Sequence, residues 1–365
     1  MNSILKFENP ADALVGLSTE DGWLFVERLA RPGEPNAEDL TGSFFSVGYI
    51  AEKGKKKAFV KVIDIHGVLT DKTSNLSLVD RMKRVGESHS FEQQVLNACK
   101  RAKLDRIVEK IGEGELVVPG SPLGIDIPYI IFELAEGDVR KVLGRSSAID
   151  DAWKLRILHD VAVGIQQLHQ NEIAHQDLKP SNVLVFGKSK ERAKIGDLGR
   201  SSHRGLDARH DSFDVPGALR YAPPEQVYGI RPERWEDRRE GCDLYHLGSL
   251  VMFLFAGVTP AGHYVTALGP ELRPVRWGGT GACAYETALP MLKAAHADLV
   301  RTVEADLPAW AAEELGQIVL TACDPDFRSR GDPTARRRVG NTVGIETYVS
   351  RFDRLAKRAS VKTRS

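Results

Sequence analysis

The spacing of apolar and polar positions changes rhythm near Ala135. Upstream of it, short apolar or alternating runs recur: Trp23-Leu24-Phe25-Val26, Phe45-Ser46-Val47-Gly48-Tyr49-Ile50, Ala58-Phe59-Val60-Lys61-Val62-Ile63 and Tyr129-Ile130-Ile131-Phe132. Runs of this length, rich in β-branched and aromatic residues, predict strands. Lys53-Gly54-Lys55 lies between two of them and predicts a hairpin turn. Downstream, Leu155, Leu158, Val161, Ala162, Ile165 and Leu168 recur at three- and four-residue spacing, which puts them on one face of a helix. Asp243 to Phe255 predicts a second, more apolar helix. The expected fold class is α+β: a small β-rich lobe with one main helix over residues 22–134, then a larger helical lobe over 135–334. An N-terminal extension (1–21) precedes them, and a helix or tail (335–365) follows.

The longest apolar run, Leu247 to Val258, is 12 residues. A bilayer-spanning helix needs roughly 20, so the run predicts a buried helix and no membrane partner. The opening segment lacks the apolar stretch of a signal peptide. Cys99, Cys242, Cys283 and Cys323 are too dispersed for a zinc site or a disulfide framework, and the expected compartment is the reducing cytoplasm. Of the 365 residues, 42% are apolar and 27% charged, a normal globular balance. Lys+Arg and Asp+Glu each number 50, so no global charge draws the chain to nucleic acid. The tail from Ala335 differs, with nine Lys/Arg against two acids. Within it Ile345, Tyr348, Val349, Phe352 and Leu355 form one helical face, which predicts a final helix docked on the large lobe. A nucleic-acid contact through this basic tail is the alternative.

The chemistry concentrates in three stretches. The first is His175-Gln176-Asp177-Leu178-Lys179-Pro180-Ser181-Asn182, the second Gly196-Asp197-Leu198-Gly199, the third Tyr221-Ala222-Pro223-Pro224-Glu225. One aspartate can accept a proton from a hydroxyl, while an amide and a second carboxylate can hold magnesium, which prefers oxygen ligands. Phosphoryl transfer asks for such positioned oxygens and charge neutralisation more than for covalent chemistry. An Asp-Leu-Gly alone is a common turn. Its distance from Asn182 gives it weight, because Val183-Leu184-Val185-Phe186 and Ala193-Lys194-Ile195 can form a hairpin that returns the chain.

Over roughly residues 22–333 the chain resembles the catalytic domain of eukaryotic-like, bacterial-type serine/threonine protein kinases. His-Gln-Asp stands at the catalytic loop, Asp-Leu-Gly at the metal loop and Pro-Pro-Glu at the end of the activation segment. The resemblance implies that Asp177 is the catalytic base, that Lys179 touches the γ-phosphate, and that Asn182 and Asp197 bind magnesium or manganese. It further implies that Lys61 grips the α- and β-phosphates of ATP and pairs with Glu92, with Glu87 as second choice. Phe132 would be the gatekeeper, and the Glu133 carbonyl and Ala135 amide would hold adenine. Gly42, with Gly33 and Gly48, would cover the phosphates. Glu225 would pair with Arg330 in preference to Arg328, and Asp243 would hold the catalytic-loop backbone; His175 would serve structurally. Protein substrates, including the chain itself by autophosphorylation, are the implied partners. A catalytically dead scaffold and a small-molecule kinase are the alternatives.

Several positions depart from the family pattern. The three glycines are spread over an apparent insertion. Phe59, on the same strand face as Lys61, stands where a small alanine usually roofs adenine. Leu198 replaces phenylalanine, and Ala218 replaces a frequent threonine. Gln176 replaces the arginine that clamps an activation-segment phosphate. The expectation is that activity needs no such phosphate, and that replacing Ser201, Ser202 and Ser212 together leaves turnover largely intact. Arg200 or Arg204 are the residues that would otherwise stand in for the missing arginine.

Overall fold

The computed structural model describes residues 9–31, 46–70, 75–118, 126–145, 149–187, 191–340 and 342–362. They fall into two compact units, one built from the stretches up to Arg101 and Val108–Ala135, the other from Ala102–Ile107 and Glu136 onward.

The N-terminal unit contains β1 (Leu24–Arg28), β2 (Ser46–Lys53), β3 (Lys56–Ile63), α1 (Ile65–Thr70), α2 (Leu78–Arg101), β4 (Lys110–Leu116) and β5 (Ile127–Glu133). The strands form one antiparallel sheet in the order β1-β2-β3-β5-β4. The β2–β3 hairpin turns at Gly54, whose φ of +61° suits a residue without a Cβ. Alternation along β3 sends Ala58, Val60 and Val62 into the core and leaves Phe59 and Lys61 on the opposite face. The core also takes in Phe25, Tyr49, Tyr129 and Ile131. Residues 9–21, set apart in the sequence as an extension, contribute Ala11 and Leu14 to that same core. The Tyr49 hydroxyl donates to the Ala11 carbonyl at 2.7 Å.

The C-terminal unit runs β6 (Gly137–Asp138), α3 (Val139–Arg145), α4 (Asp151–Gln170), β7 (Ile173–Ala174), β8 (Val183–Phe186), β9 (Arg192–Ile195), β10 (Ser202–His203) and α5 (Pro224–Val227). It continues with α6 (Gly241–Ala256), α7 (Pro260–Ala267), α8 (Tyr285–Glu304), α9 (Ala312–Ala322), α10 (Pro333–Arg336) and α11 (Ile345–Lys362). Asp150 caps α4 by accepting from the Trp153 amide at 2.6 Å. The whole apolar face anticipated for α4 is buried. Helix α6 is buried on nearly every side, which explains its unbroken apolar run. Among the described residues no single helix is long and apolar enough to cross a membrane. Helix α11 packs on α4 and buries Ile345, Tyr348, Phe352 and Leu355, while Val349 is half-buried. Part of its charge is engaged locally: Arg354 pairs with Glu314, and Arg358 lies 5.3 Å over the Trp310 ring.

Candidate active site

The loop from His175 to Asn182 joins β7 to β8 and is held from below by α6. The Asp243 carboxylate accepts the backbone N–H of His175 at 2.7 Å and of Gln176 at 2.8 Å, and meets His169 Nε2 at 3.0 Å. Burial alone would push the Asp243 carboxyl up. His169, His175 and the Gln176 amide outweigh it and hold the group below its ordinary value. These bonds keep Gln176 in the left-handed region at φ 64°, a conformation that costs a non-glycine residue and needs such support.

The β8–β9 hairpin brings the second acidic site back, with Val183 opposite Ile195. Gly196 N–H donates to the Asn182 carbonyl at 2.9 Å, and His175 Nε2 meets the Gly196 carbonyl at 3.0 Å. The Asp177 N–H donates to His175 Nδ1 at 3.2 Å, which leaves the Nε2–H for Gly196. Asn182 Nδ2 in turn donates to the Asp177 carbonyl at 2.8 Å. Asp177, Asn182 and Asp197 are thus brought together in the C-terminal unit, with His175 as the tie between their segments. Asp197 is exposed and adopts φ 60°. Asp177 is buried, and its carboxylate is gripped on both oxygens, by Lys179 Nζ on Oδ2 and by the Ala218 N–H on Oδ1, each at 2.7 Å.

The donor set fits a hard divalent cation. Because the Asn182 NH₂ is committed to the Asp177 carbonyl, the amide's oxygen is its remaining ligand, beside the Asp197 carboxylate. Among the described residues no group of three or more His, Cys, Asp or Glu is placed to hold a metal ion.

In the N-terminal unit Lys61 Nζ lies 2.7 and 2.9 Å from the two Glu92 oxygens, with both side chains largely buried. Glu87, the second choice, sits beside Lys83 on the exposed side of α2. Phe59 pairs in register with Phe132, their ring centroids 6.3 Å apart. The Glu133 side chain accepts from the Glu109 N–H at 2.7 Å, and Ala135 follows β5 half-buried. Gly42 and Gly33 lie outside the described residues.

Residues 61–267 match the family model described as the protein kinase domain. The chain belongs to the protein kinase family. It is 25% identical over 249 residues to the serine/threonine-protein kinase RAD53 of Saccharomyces cerevisiae, covering 64% of this chain and 29% of that protein. It is 31% identical over 157 residues to the inhibitor of nuclear factor kappa-B kinase subunit alpha of Danio rerio (42% and 19%). It is 27% identical over 172 residues to the sensor for unfolded proteins in the ER ire1 of Schizosaccharomyces pombe (40% and 16%). The matches therefore span less than a third of these relatives' own lengths.

Within this kinase fold, Glu225 and Arg330 form a two-pronged pair, 2.7 Å at each prong, that is almost wholly buried. Arg328 instead pairs with Asp326 and Glu286. The residue facing Gln176 was not anticipated. Neither Arg200 nor Arg204 takes that place: Arg204 pairs with Glu236. Arg239 does, from the wide π-type turn that leads into α6. Its Nη1 donates to Gln176 Oε1 at 3.1 Å, and Gln176 Nε2 donates to the Arg239 carbonyl at 2.9 Å. Ser201 and Ser202 are fully buried, donating to the Leu198 carbonyl and to Asp211, whereas Ser212 is exposed. Arg239 carries no local pattern that would single it out among the five charges of Glu236–Glu240.

Proposed function

We propose that this kinase-family chain transfers the γ-phosphoryl group of ATP to serine or threonine hydroxyls of protein substrates. The observation that carries the reading is the doubly held Asp177 carboxylate, tied through one amide to Asn182 and through one backbone bond to the Asp197 segment. Asp177 orients the substrate hydroxyl and takes its proton as the oxygen–phosphorus bond forms. The bond from the γ-phosphorus to the bridging oxygen breaks, and ADP departs with that electron pair. Lys179, beside Asp177, supplies positive charge to the transferring group. Lys61, fixed by Glu92, offers a cation to the α- and β-phosphates. Asn182 and Asp197 would hold magnesium or manganese, which when bound neutralises phosphate charge. Serine/threonine preference is supported by Lys179 in the loop and by the named activity of the relative RAD53.

The reading includes a catalytic loop without arginine before the aspartate, supported by Gln176, and activity without an activation-segment phosphate. The test is transfer of radiolabel from ATP to the chain itself and to dephosphorylated casein with magnesium or manganese. Asp177→Asn should abolish transfer while retaining nucleotide binding. Lys61→Met should weaken both. Label appearing on an aminoglycoside or sugar but on no protein would overturn the protein-substrate reading, and nucleotide binding without any transfer would overturn the reaction.

A further inference from the structure

A base that must receive one proton from one hydroxyl needs its carboxylate held in a single orientation. In this chain the frequent threonine of the activation segment is Ala218, which has no hydroxyl to offer. The Asp177 carboxylate is nevertheless held from that side: the Ala218 backbone N–H donates to Oδ1 at 2.7 Å, a charge-assisted bond in a buried setting. Such an approach of backbone to carboxylate needs space, and Gly217 supplies it. A Cβ at 217 would lie 2.4 Å from the Gln176 carbonyl oxygen, 2.8 Å from Asp177 Oδ1 and 3.0 Å from Asp177 Cα. Two of those three atoms are catalytic-loop backbone and cannot move aside as a flexible side chain would.

We infer that the Ala218 amide, admitted by the absent side chain of Gly217, is the group that positions the Asp177 carboxylate in this chain, with Lys179 holding the other oxygen. The inference rests on the kinase reading for its effect on turnover but not for the contact itself. Its consequence is direct coupling: Asp177 is oriented only while residues 217–218 lie against the catalytic loop, and no side-chain chemistry at position 218 is required.

Ala218→Pro removes this N–H at a residue whose φ of −76° suits proline, and it sets the ring Cδ against Asp177 Oδ1, which must turn away. Gly217 before it also tolerates the substitution, because it lacks the Cβ that a following proline crowds. The hydrogen bond is to a charged group, so kcat should fall about 10- to 100-fold. KM for ATP should be unchanged, while the ring carbon crowding Asp177 Oδ1 should lower the thermal midpoint, so the exchange comparison below separates the lost bond from the added crowding. Gly217→Ala should lose kcat in the same way. Independently of activity, the Ala218 amide should exchange slowly with deuterium in the wild-type chain, and at least about tenfold faster in Asp177→Ala, with the rest of the segment unaltered. Equal exchange in the two proteins, or wild-type kcat in Ala218→Pro, overturns the inference. If the wild-type chain transfers no phosphate, the function reading fails and the exchange comparison still decides this one.

Discussion

Arg239 Nη2 lies 2.6 Å from Asp211 Oδ1, joining the start of α6 to the activation segment through a carboxylate already present in the chain. Ser202 Oγ donates to the same oxygen at 2.5 Å, and Arg238 donates to the Asp211 carbonyl. Burial pulls the Arg239 guanidinium below its ordinary value and Asp211 opposes that pull, so the pair is interdependent. On its other side Arg239 holds Gln176. Arg239 thus links the Asp211 carboxylate of the activation segment to Gln176 of the catalytic loop.

Asp211→Ala should strand a nearly buried guanidinium. A fully buried pair would cost about 3–5 kcal/mol when one member is removed. The Asp211 side chain is 30% exposed, so about 2 kcal/mol is expected, seen in urea unfolding. Turnover should drop by at least about tenfold, since the segment bearing Ala218 loses its anchor. Ser212→Ala, by contrast, should retain wild-type turnover, and so should phosphatase-treated enzyme. Inactivity of either would show that a phosphate is needed after all. The joint replacement of Ser201, Ser202 and Ser212 is a poor test, because the first two are buried hydrogen-bond donors and their loss disturbs structure directly.

Phe59 and Gly48 form a packed pair on the Lys61 face of the sheet. A Cβ at Gly48 would lie 3.0 Å from Phe59 Cε2 and 3.3 Å from Leu29 Cδ1. Gly48→Ala should therefore destabilise the wild-type chain by about 1 kcal/mol and cost less in a Phe59→Ala background. A thermal double-mutant cycle measures the coupling. Phe59→Ala should also lower KM for ATP and admit analogues with bulky N6 substituents. Unchanged nucleotide discrimination would remove Phe59 from the adenine-facing surface.

The Glu225–Arg330 pair predicts an asymmetric stability effect. Burial opposes the Arg330 charge, but Glu225 outweighs it and raises the guanidinium above its ordinary value. Arg330→Met leaves a buried carboxylate and should cost about 3–5 kcal/mol. The double variant with Glu225→Gln should recover part of that loss in urea unfolding. Equal losses in the single and double variants would mean that Arg330 acts through its bonds to the Asp324 and Gly241 carbonyls instead.

What was legible in the sequence was local or carried by a motif. Strand alternation put Phe59 and Lys61 on one face because the β period is short and the core side is strictly apolar. The α4 face and the Val183–Phe186 hairpin followed from periodicity, and Glu92, on α2, from the family resemblance. Arg239 and Asp211 were missed for a different reason. Their pairing joins residues 28 apart, and the charge run around Arg239 reads as a solvated surface, whereas Arg239 is buried against Gln176 and Asp211. Gly217 is likewise unreadable, since a glycine needed only for space, with no left-handed φ, looks like any loop glycine.

Acid should weaken the C-terminal unit before its carboxylates titrate. His246 on α6 is fully enclosed, and burial lowers its pKa to about 4 from an ordinary 6.5; Asp243 and Asp177 oppose the shift, while His175 and Arg330 reinforce it. His296 and His210 are also lowered, each chiefly by burial. The unfolded chain therefore binds more protons than the folded one between pH 6.5 and about 4. A depressed folded-state value means that the contribution is intact above the unfolded pKa and declines as pH falls toward the folded one. For His246 the loss is on the order of 3 kcal/mol across that window. Urea unfolding of the full chain at stepped pH should show stability rising with pH through this range. His246→Gln should flatten the slope without abolishing it, because His210 and His296 remain. A slope unchanged in His246→Gln would mean that the imidazole is already solvated, contrary to its complete burial in α6.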